Sequence, residues 1–257
     1  MNDLAISKKY NICECESLEL WNNLIKNAVN PSVVYLDEFL EFSKINHKKL
    51  FIRNKNEIIA GIPILCSSDF KDIIISNKII YTPIIYKKKI FLNRSFGTIN
   101  IELYNIISVL YRYLIDNFNS VDITFDYFTR DIRPFIWHNF YQPNEYFLVT
   151  PKFTSILDYK NINNKDIFND HVLKNFSKTK RNEYRQASSS KLKIYEEITK
   201  KDIYKLMHDT FKVQGLDADK EYNLNTLIDL LQNLKDKDML KFFCAKNESE
   251  ELYNFMA

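Results

Sequence analysis

Glycine is nearly missing from this chain. There are three in 257 residues, Gly61, Gly97 and Gly215, and they lie far apart. A Walker loop or a G-x-G-x-x-G turn needs clustered glycines, because only then can successive backbone N–H groups close on a phosphate. P-loop hydrolases, Gly-rich-loop kinases and the usual dinucleotide oxidoreductases are therefore disfavoured. Cysteine is equally sparse. Cys13, Cys15, Cys66 and Cys244 form one C-x-C and no C-x-x-C pair, a spacing that suits isolated thiols rather than a zinc site or a disulfide framework. The four histidines, His47, His138, His171 and His208, are too dispersed for a metal set. No apolar run approaches the roughly 18–20 residues that span a bilayer, and no secretory leader pattern is visible. The expected localisation is cytoplasmic, with no membrane span and no metal. Overall charge is also low, at +3, which does not favour indiscriminate nucleic-acid binding.

What the chain has is core material and one concentrated charge. Hydrophobic residues make up 46% and aromatics 14%, enough for a packed interior and against long disorder. Seven basic residues fall between His171 and Tyr195, opposed only by Glu183. That stretch carries +6 and leaves −3 for the remainder of the chain. Lys174, Lys178, Arg181 and Arg185 follow steps of four, three and four. On one continuous helix, read over Asp166–Ala187, they form a stripe about 60° wide. Val172, Phe176 and Ala187 would then face a core. Like charges at these spacings repel unless an anion covers them. The stripe reads either as a solvated face or as a site for phosphates on a nucleotide-linked substrate, a cofactor or a nucleic acid.

The apolar spacing predicts a helix after an N-cap at Ser17, a second helix carrying Leu36, Phe39 and Leu40, and a strand pair, Leu50–Arg53 and Ile58–Cys66. Further strands are expected at Ile73–Ile75, Ile79–Tyr81, Val121–Phe125 and Tyr146–Val149. Helices are expected at Asn100–Asn117 and Ile132–Phe140. A similar order restarts after Thr150-Pro151. It comprises a strand at Phe153–Leu157, the basic helix, a strand at Leu192–Tyr195, a helix opened by Thr199, a helix through Leu224–Leu234, and strands at Leu240–Ala245 and Leu252–Ala257. The expectation is an α/β (α+β) fold in two similar domains, 1–150 and 151–257, with mixed, mainly antiparallel sheets and packed helices. The chain stops on the apolar Leu252–Ala257 strand, so the second repeat is expected to be incomplete at its C-terminal side, with an uncovered face that invites a homodimer.

Four local patterns carry a family resemblance: Ile58-Ile59-Ala60-Gly61-Ile62-Pro63-Ile64, Tyr81-Thr82-Pro83, Asp131-Ile132-Arg133-Pro134-Phe135-Ile136-Trp137, and Lys180-Arg181-Asn182-Glu183-Tyr184-Arg185-Gln186-Ala187. In this order they resemble tandem GNAT-like acyltransferases, relatives of the Fem-type peptidoglycan aminoacyl transferases. The resemblance implies N-acyl transfer, acetyl or aminoacyl, to an amino group of a cell-envelope precursor or nucleotide-linked sugar. It also implies acyl-CoA or aminoacyl-tRNA as donor. The Q/R-x-x-G-x-G/A turn that cradles acyl-CoA in GNAT enzymes has no match here. The alternatives are a non-catalytic GNAT-like binding module and, on the basic helix alone, an RNA-binding protein.

The candidate phosphate-binding or substrate-binding residues are Lys174, Lys178, Arg181 and Arg185, since arginine holds phosphate bidentately and lysine adds a point charge. Tyr81, Tyr86, Arg133 and Trp137 are candidates for a sugar or peptide pocket. The Lys87-Lys88-Lys89 run with Arg94 reads as a solvated loop or a second anionic wall. Asp122 and Asp126, on one strand face, are candidate cleft carboxylates. No nucleophile–base pair is readable, and no catalytic residue is assigned.

Overall fold

The structure is a computed structural model describing residues 9–76, 79–142, 145–153, 168–169, 172–217, 219, 223–249 and 252–256. The chain divides at Thr150/Pro151 into two compact units. It is mixed α and β with predominantly antiparallel sheets. No helix among the described residues is long and apolar enough to cross a membrane.

Unit 1 is built on an antiparallel meander. β1 (Tyr10–Glu14) pairs with β2 (His47–Asn54), and β2 turns through Lys55-Asn56 into β3 (Glu57–Leu65). Lys55 takes a positive φ of 57° in that turn. The short β4 (Asp72–Ile73) follows, and then β5 (Ile85–Tyr86), which extends the sheet beyond β3. Between β1 and β2 the chain forms α1 (Leu18–Lys26) and α2 (Asp37–Ser43). Ser17 caps α1 by accepting the Leu20 N–H, which satisfies one of the orphan donors of the first turn. A long α3 (Phe96–Asn117) leads to β6 (Ser120–Val121), which runs parallel to β4. A single turn, α4 (Arg133–Ile136), follows.

The period-two alternation of β2 and β3 decides which helix covers which face. Leu50 and Ile52 with Ala60, Ile62 and Ile64 join Ile106, Ile107, Leu110 and Leu114 of α3 in one core. Phe51, pointing the other way, meets Trp21 of α1 with ring centroids 5.8 Å apart. Gly61 pairs with Phe51 on that face. A Cβ there would stand 2.8 Å from Leu24 and 3.1 Å from the Leu50 carbonyl, so glycine is what lets α1 pack this closely.

Unit 2 repeats the order strand, helix, helix, hairpin. α5 (Lys178–Ser189) comes first, then β7 (Lys193–Tyr195), α6 (Lys200–Val213), α7 (Leu224–Asp236), β8 (Phe243–Lys246) and β9 (Leu252–Met256). β7 pairs with β8 and β8 with β9, all antiparallel. Thr199 caps α6 by accepting the Asp202 N–H at 3.1 Å. Ile203, Leu224, Ile228, Phe242 and Cys244 form the core between this helix pair and the sheet.

Several expected elements differ. β1 was not anticipated. Ile79–Tyr81 and Tyr146–Val149 join no ladder, and β6 ends at Val121. Asp122 and Asp126 therefore share no strand; Asp126 opens a turn, its carbonyl accepting the Thr129 N–H. The helix expected over Ile132–Phe140 is the single turn α4. The expected strand at Phe153–Leu157 and the first turns of a helix from Asp166 fall largely outside the described residues.

Candidate functional site

The basic segment is not one helix. Lys174 lies in a 3-10 turn, Leu173–Asn175, after which Phe176 and Ser177 are extended. Ser177 then caps a new helix, its hydroxyl accepting the Lys180 N–H. A serine in extended geometry competes with helix continuation, which is why the stripe breaks at this point. Lys178, Arg181 and Arg185 keep their common face on α5, and Lys174 leaves it. Of the expected docking face only Val172 is buried; Phe176 and Ala187 are exposed, and α5 itself buries no residue.

Arg181 has a local duty. Its Nη1 donates to the carbonyls of Lys174, at 3.1 Å, and Phe176, at 2.8 Å. It thus ties the 3-10 turn to the helix. Lys180 pairs with Glu183 at 2.7 Å. Lys174, Lys178, Arg181 and Arg185 face no carboxylate among the described residues; Arg185 reaches only the neutral amide of Asn182. The first turn of α5 contains no acidic residue. Cations there oppose the positive end of the helix dipole. An anion over this turn relieves both repulsions.

The lysine run in unit 1 behaves differently. Lys87 and Lys89 both bond Glu57, at 3.2 and 2.8 Å, and Arg94 approaches Glu102 at 3.5 Å. These bonds hold the Glu57 carboxyl below its ordinary range. Glu57 and Glu102 thus offset two of the four positive charges of this run.

The four pocket candidates do not form one group. Arg133 and Trp137 come together. The Arg133 guanidinium lies 5.4 Å from the Trp137 ring centroid and 4.8 Å from that of Tyr104. Asp131 holds it through Nε–Oδ1 and Nη2–Oδ2 bonds of 2.8 and 2.6 Å. That bond from Arg133 also pulls the Asp131 carboxyl below its usual value. Tyr86 is in the core at 1% exposure, edge-on to Phe91, and its phenol is raised by desolvation. It lines no pocket. Tyr81 is partly exposed and is not part of the cleft at Trp137.

That cleft is one the sequence reading did not see as a whole. It encloses about 480 Å³ between Trp137, Asn139, Phe140, Tyr141 and Gln142. Behind it His138 Nδ1 lies 2.6 Å from the Tyr111 hydroxyl, and Nε2 lies 3.2 Å from Asn139 Nδ2. The available signal was the density of aromatics from Phe135 to Tyr141. A larger opening, about 680 Å³, lies beside Glu14, Asp37, Lys48 and Lys49. Its lysines are taken up by ion pairs, Lys48 with Glu14 and Lys49 with Asp37.

Among the described residues of unit 1, Asp126 is the one carboxyl that burial pushes above its ordinary range. It accepts the N–H and hydroxyl of Thr129 at 3.2 and 3.1 Å. Nearby, Asn30 donates to the Tyr35 hydroxyl and the Ile84 carbonyl, and accepts the Tyr86 N–H. This network knits the sheet end together, and its polar atoms are engaged with one another.

No family model, no curated protein and no solved structure matches the chain.

Proposed function

We propose that this protein is an N-acyltransferase built from two GNAT-like units, with the exposed face of α5 receiving the phosphates of a nucleotide-linked acceptor or of the donor. The observation that carries the reading is α5 itself. It is a helix with no buried residue and no acidic residue in its first turn, and Lys178, Arg181 and Arg185 on it face no carboxylate among the described residues. Three charge-assisted contacts at about 1.5–3 kcal/mol each, joined to pocket contacts, suffice for micromolar binding. The element order supports the fold part of the reading: strand, two helices and a hairpin occur twice with the same pairing. Direct acyl transfer needs an acceptor amine held against the acyl carbonyl, a base for its proton and a donor for the oxyanion. Backbone groups and water can fill the last two roles.

The test is titration calorimetry with UDP-N-acetylglucosamine, coenzyme A and tRNA at low and high salt, on the wild type and on Lys178→Glu/Arg185→Glu. Arg181 is left in place because it anchors the preceding turn. Binding of at least one ligand is expected, weakened by salt and by about a hundredfold or more in the double variant. No binding to wild type, or equal binding to the variant, removes the assignment. Thiol release from acetyl-CoA in the presence of an amino sugar, or transfer of the aminoacyl group from charged tRNA, then tests catalysis. The missing Gly-rich turn favours one second reading, a GNAT-like module that binds without turnover. Ligand binding with neither transfer selects it.

A further inference from the structure

We infer that the cleft at Trp137 is a binding site for the ring of a neutral sugar. Among the described residues its lining is three aromatics and two amides, Trp137, Phe140, Tyr141, Asn139 and Gln142. None carries a formal charge at neutral pH. The neighbouring guanidinium of Arg133 is cancelled by the bidentate Asp131. An anionic ligand would lose hydration here and gain no counter-charge from these residues, and the one carboxylate at the rim, Glu145, is already bonded to Asn139. Trp137 and Phe140 are 56% and 66% exposed, and Tyr141 is almost wholly so. Rings this exposed and this close together mark a surface that something covers.

The polar groups specify what kind of ligand covers it. The Gln142 side chain has no partner among the described residues and offers both donors and an acceptor. Asn139 spends its Nδ2 on His138 and Glu145, leaving Oδ1 to accept. A pyranose presents C–H groups on one face, complementary to the negative face of an aromatic ring, and hydroxyls on its rim that donate and accept. About 480 Å³ lies in the range of small-molecule sites and has room for a disaccharide. The platform is held before any ligand arrives. Arg133 stacks on Trp137, and the Tyr111–His138 bond fixes the turn behind it.

The experiment uses the protein's own fluorescence. The chain has two tryptophans, and Trp21 is fully buried, so a ligand-induced change reports Trp137. The probes are triacetylchitotriose, maltotriose and an oligoproline peptide. A saturable change with at least one sugar is expected, with Kd of about 0.1–10 mM, the same at low and high salt. By calorimetry Trp137→Ala abolishes it, and Gln142→Ala weakens it about tenfold. Circular dichroism checks that each variant folds, and Phe140→Ala serves if Trp137→Ala does not. The inference is overturned if neither sugar binds, if only the peptide binds, if binding falls with salt, or if the variants bind as well as wild type. It does not rest on the acyl-transfer reading, and Lys178→Glu/Arg185→Glu leaves it intact.

Discussion

In unit 1 the chain leaves β1, passes through α1 and α2, and returns as the β2–β3 hairpin beside β1. In unit 2 it leaves β7, passes through α6 and α7, and returns as β8–β9 beside β7. The caps correspond, Ser17 and Thr199, and four residues after each stands a fully buried side chain, Trp21 and Ile203. The sheets differ in what covers them. That of unit 1 has α1 on one face and α3 on the other. In unit 2, Cys244 faces α6 and α7, while Ile194, Phe243 and Met256 share the opposite face and are exposed. The same topology thus gives a three-layer unit and, among the described residues, a two-layer one. Among the described residues the strand–helix–helix–hairpin thus recurs with its helix pair and without the second cover.

The equivalent positions Trp21 and Ile203 give the largest expected effect. Trp21→Ala removes a side chain packed on Phe51 and Gly61. It also leaves the Tyr35 carbonyl without the 2.8 Å bond it accepts from Trp21 Nε1. The expected cost is about 3–5 kcal/mol. Ile203→Ala loses packing only, about 2–4 kcal/mol. Urea midpoints give the sizes, and hydrogen exchange gives the location. Trp21→Ala should speed exchange in β1–β3, and Ile203→Ala in β7–β9. A cost at Ile203 equal to or above that at Trp21 would break the correspondence.

A smaller effect tests the polar end of unit 1, which has no described counterpart in unit 2. Burial raises the Asp126 carboxyl above its ordinary value, while the bonds from Thr129 pull it the other way. A group raised in the folded state contributes its full stability when it is protonated in both states. That contribution is lost as pH rises through the folded value. Asp126→Asn keeps an acceptor for Thr129 and removes the charge. Relative to wild type, the variant should gain stability at about pH 7 and lose that advantage at about pH 3. Denaturation at both pH values measures this. A variant less stable than wild type at neutral pH would mean that the ionised form is the one the turn favours.

The core helices and their caps were legible because they depend on local pattern. Ser17, Thr199 and the apolar face of α3 all follow from spacing within one element. β1 was not legible: Tyr10–Glu14 alternates poorly, and pairing with β2 across 32 intervening positions makes it a strand. The basic stripe misled because charge spacing says nothing about Ser177, whose cap breaks the helix. Charge spacing also says nothing of the structural duty of Arg181, whose Nη1 donates to two carbonyls of the preceding turn. Tyr86 looked like a pocket residue, and long-range packing buries it. Arg133 and Trp137 were found together because both sit on one short turn, whereas the cleft they border depends on how Asn139 folds the chain back at a φ of 47°.

The smallest expected effect bears most directly on the difference between the units. Leu110 of α3 is fully buried against the outer face of the first sheet, and Ile194 of β7 is 67% exposed on the equivalent face of the second. Leu110→Ala should cost about 2–5 kcal/mol, because transfer energy and a cavity are both lost. Ile194→Ala should stay within about 0.5 kcal/mol, because little surface leaves water at that site. Urea denaturation of both variants, at two protein concentrations, makes the measurement. If Ile194→Ala costs more than about 1 kcal/mol, the second sheet is covered in solution and the units are alike in layers. If that cost appears only at the higher concentration, the cover is a second copy of the chain, because mass action stabilises what associates. A null result at both concentrations leaves unit 2 standing on its helix pair alone.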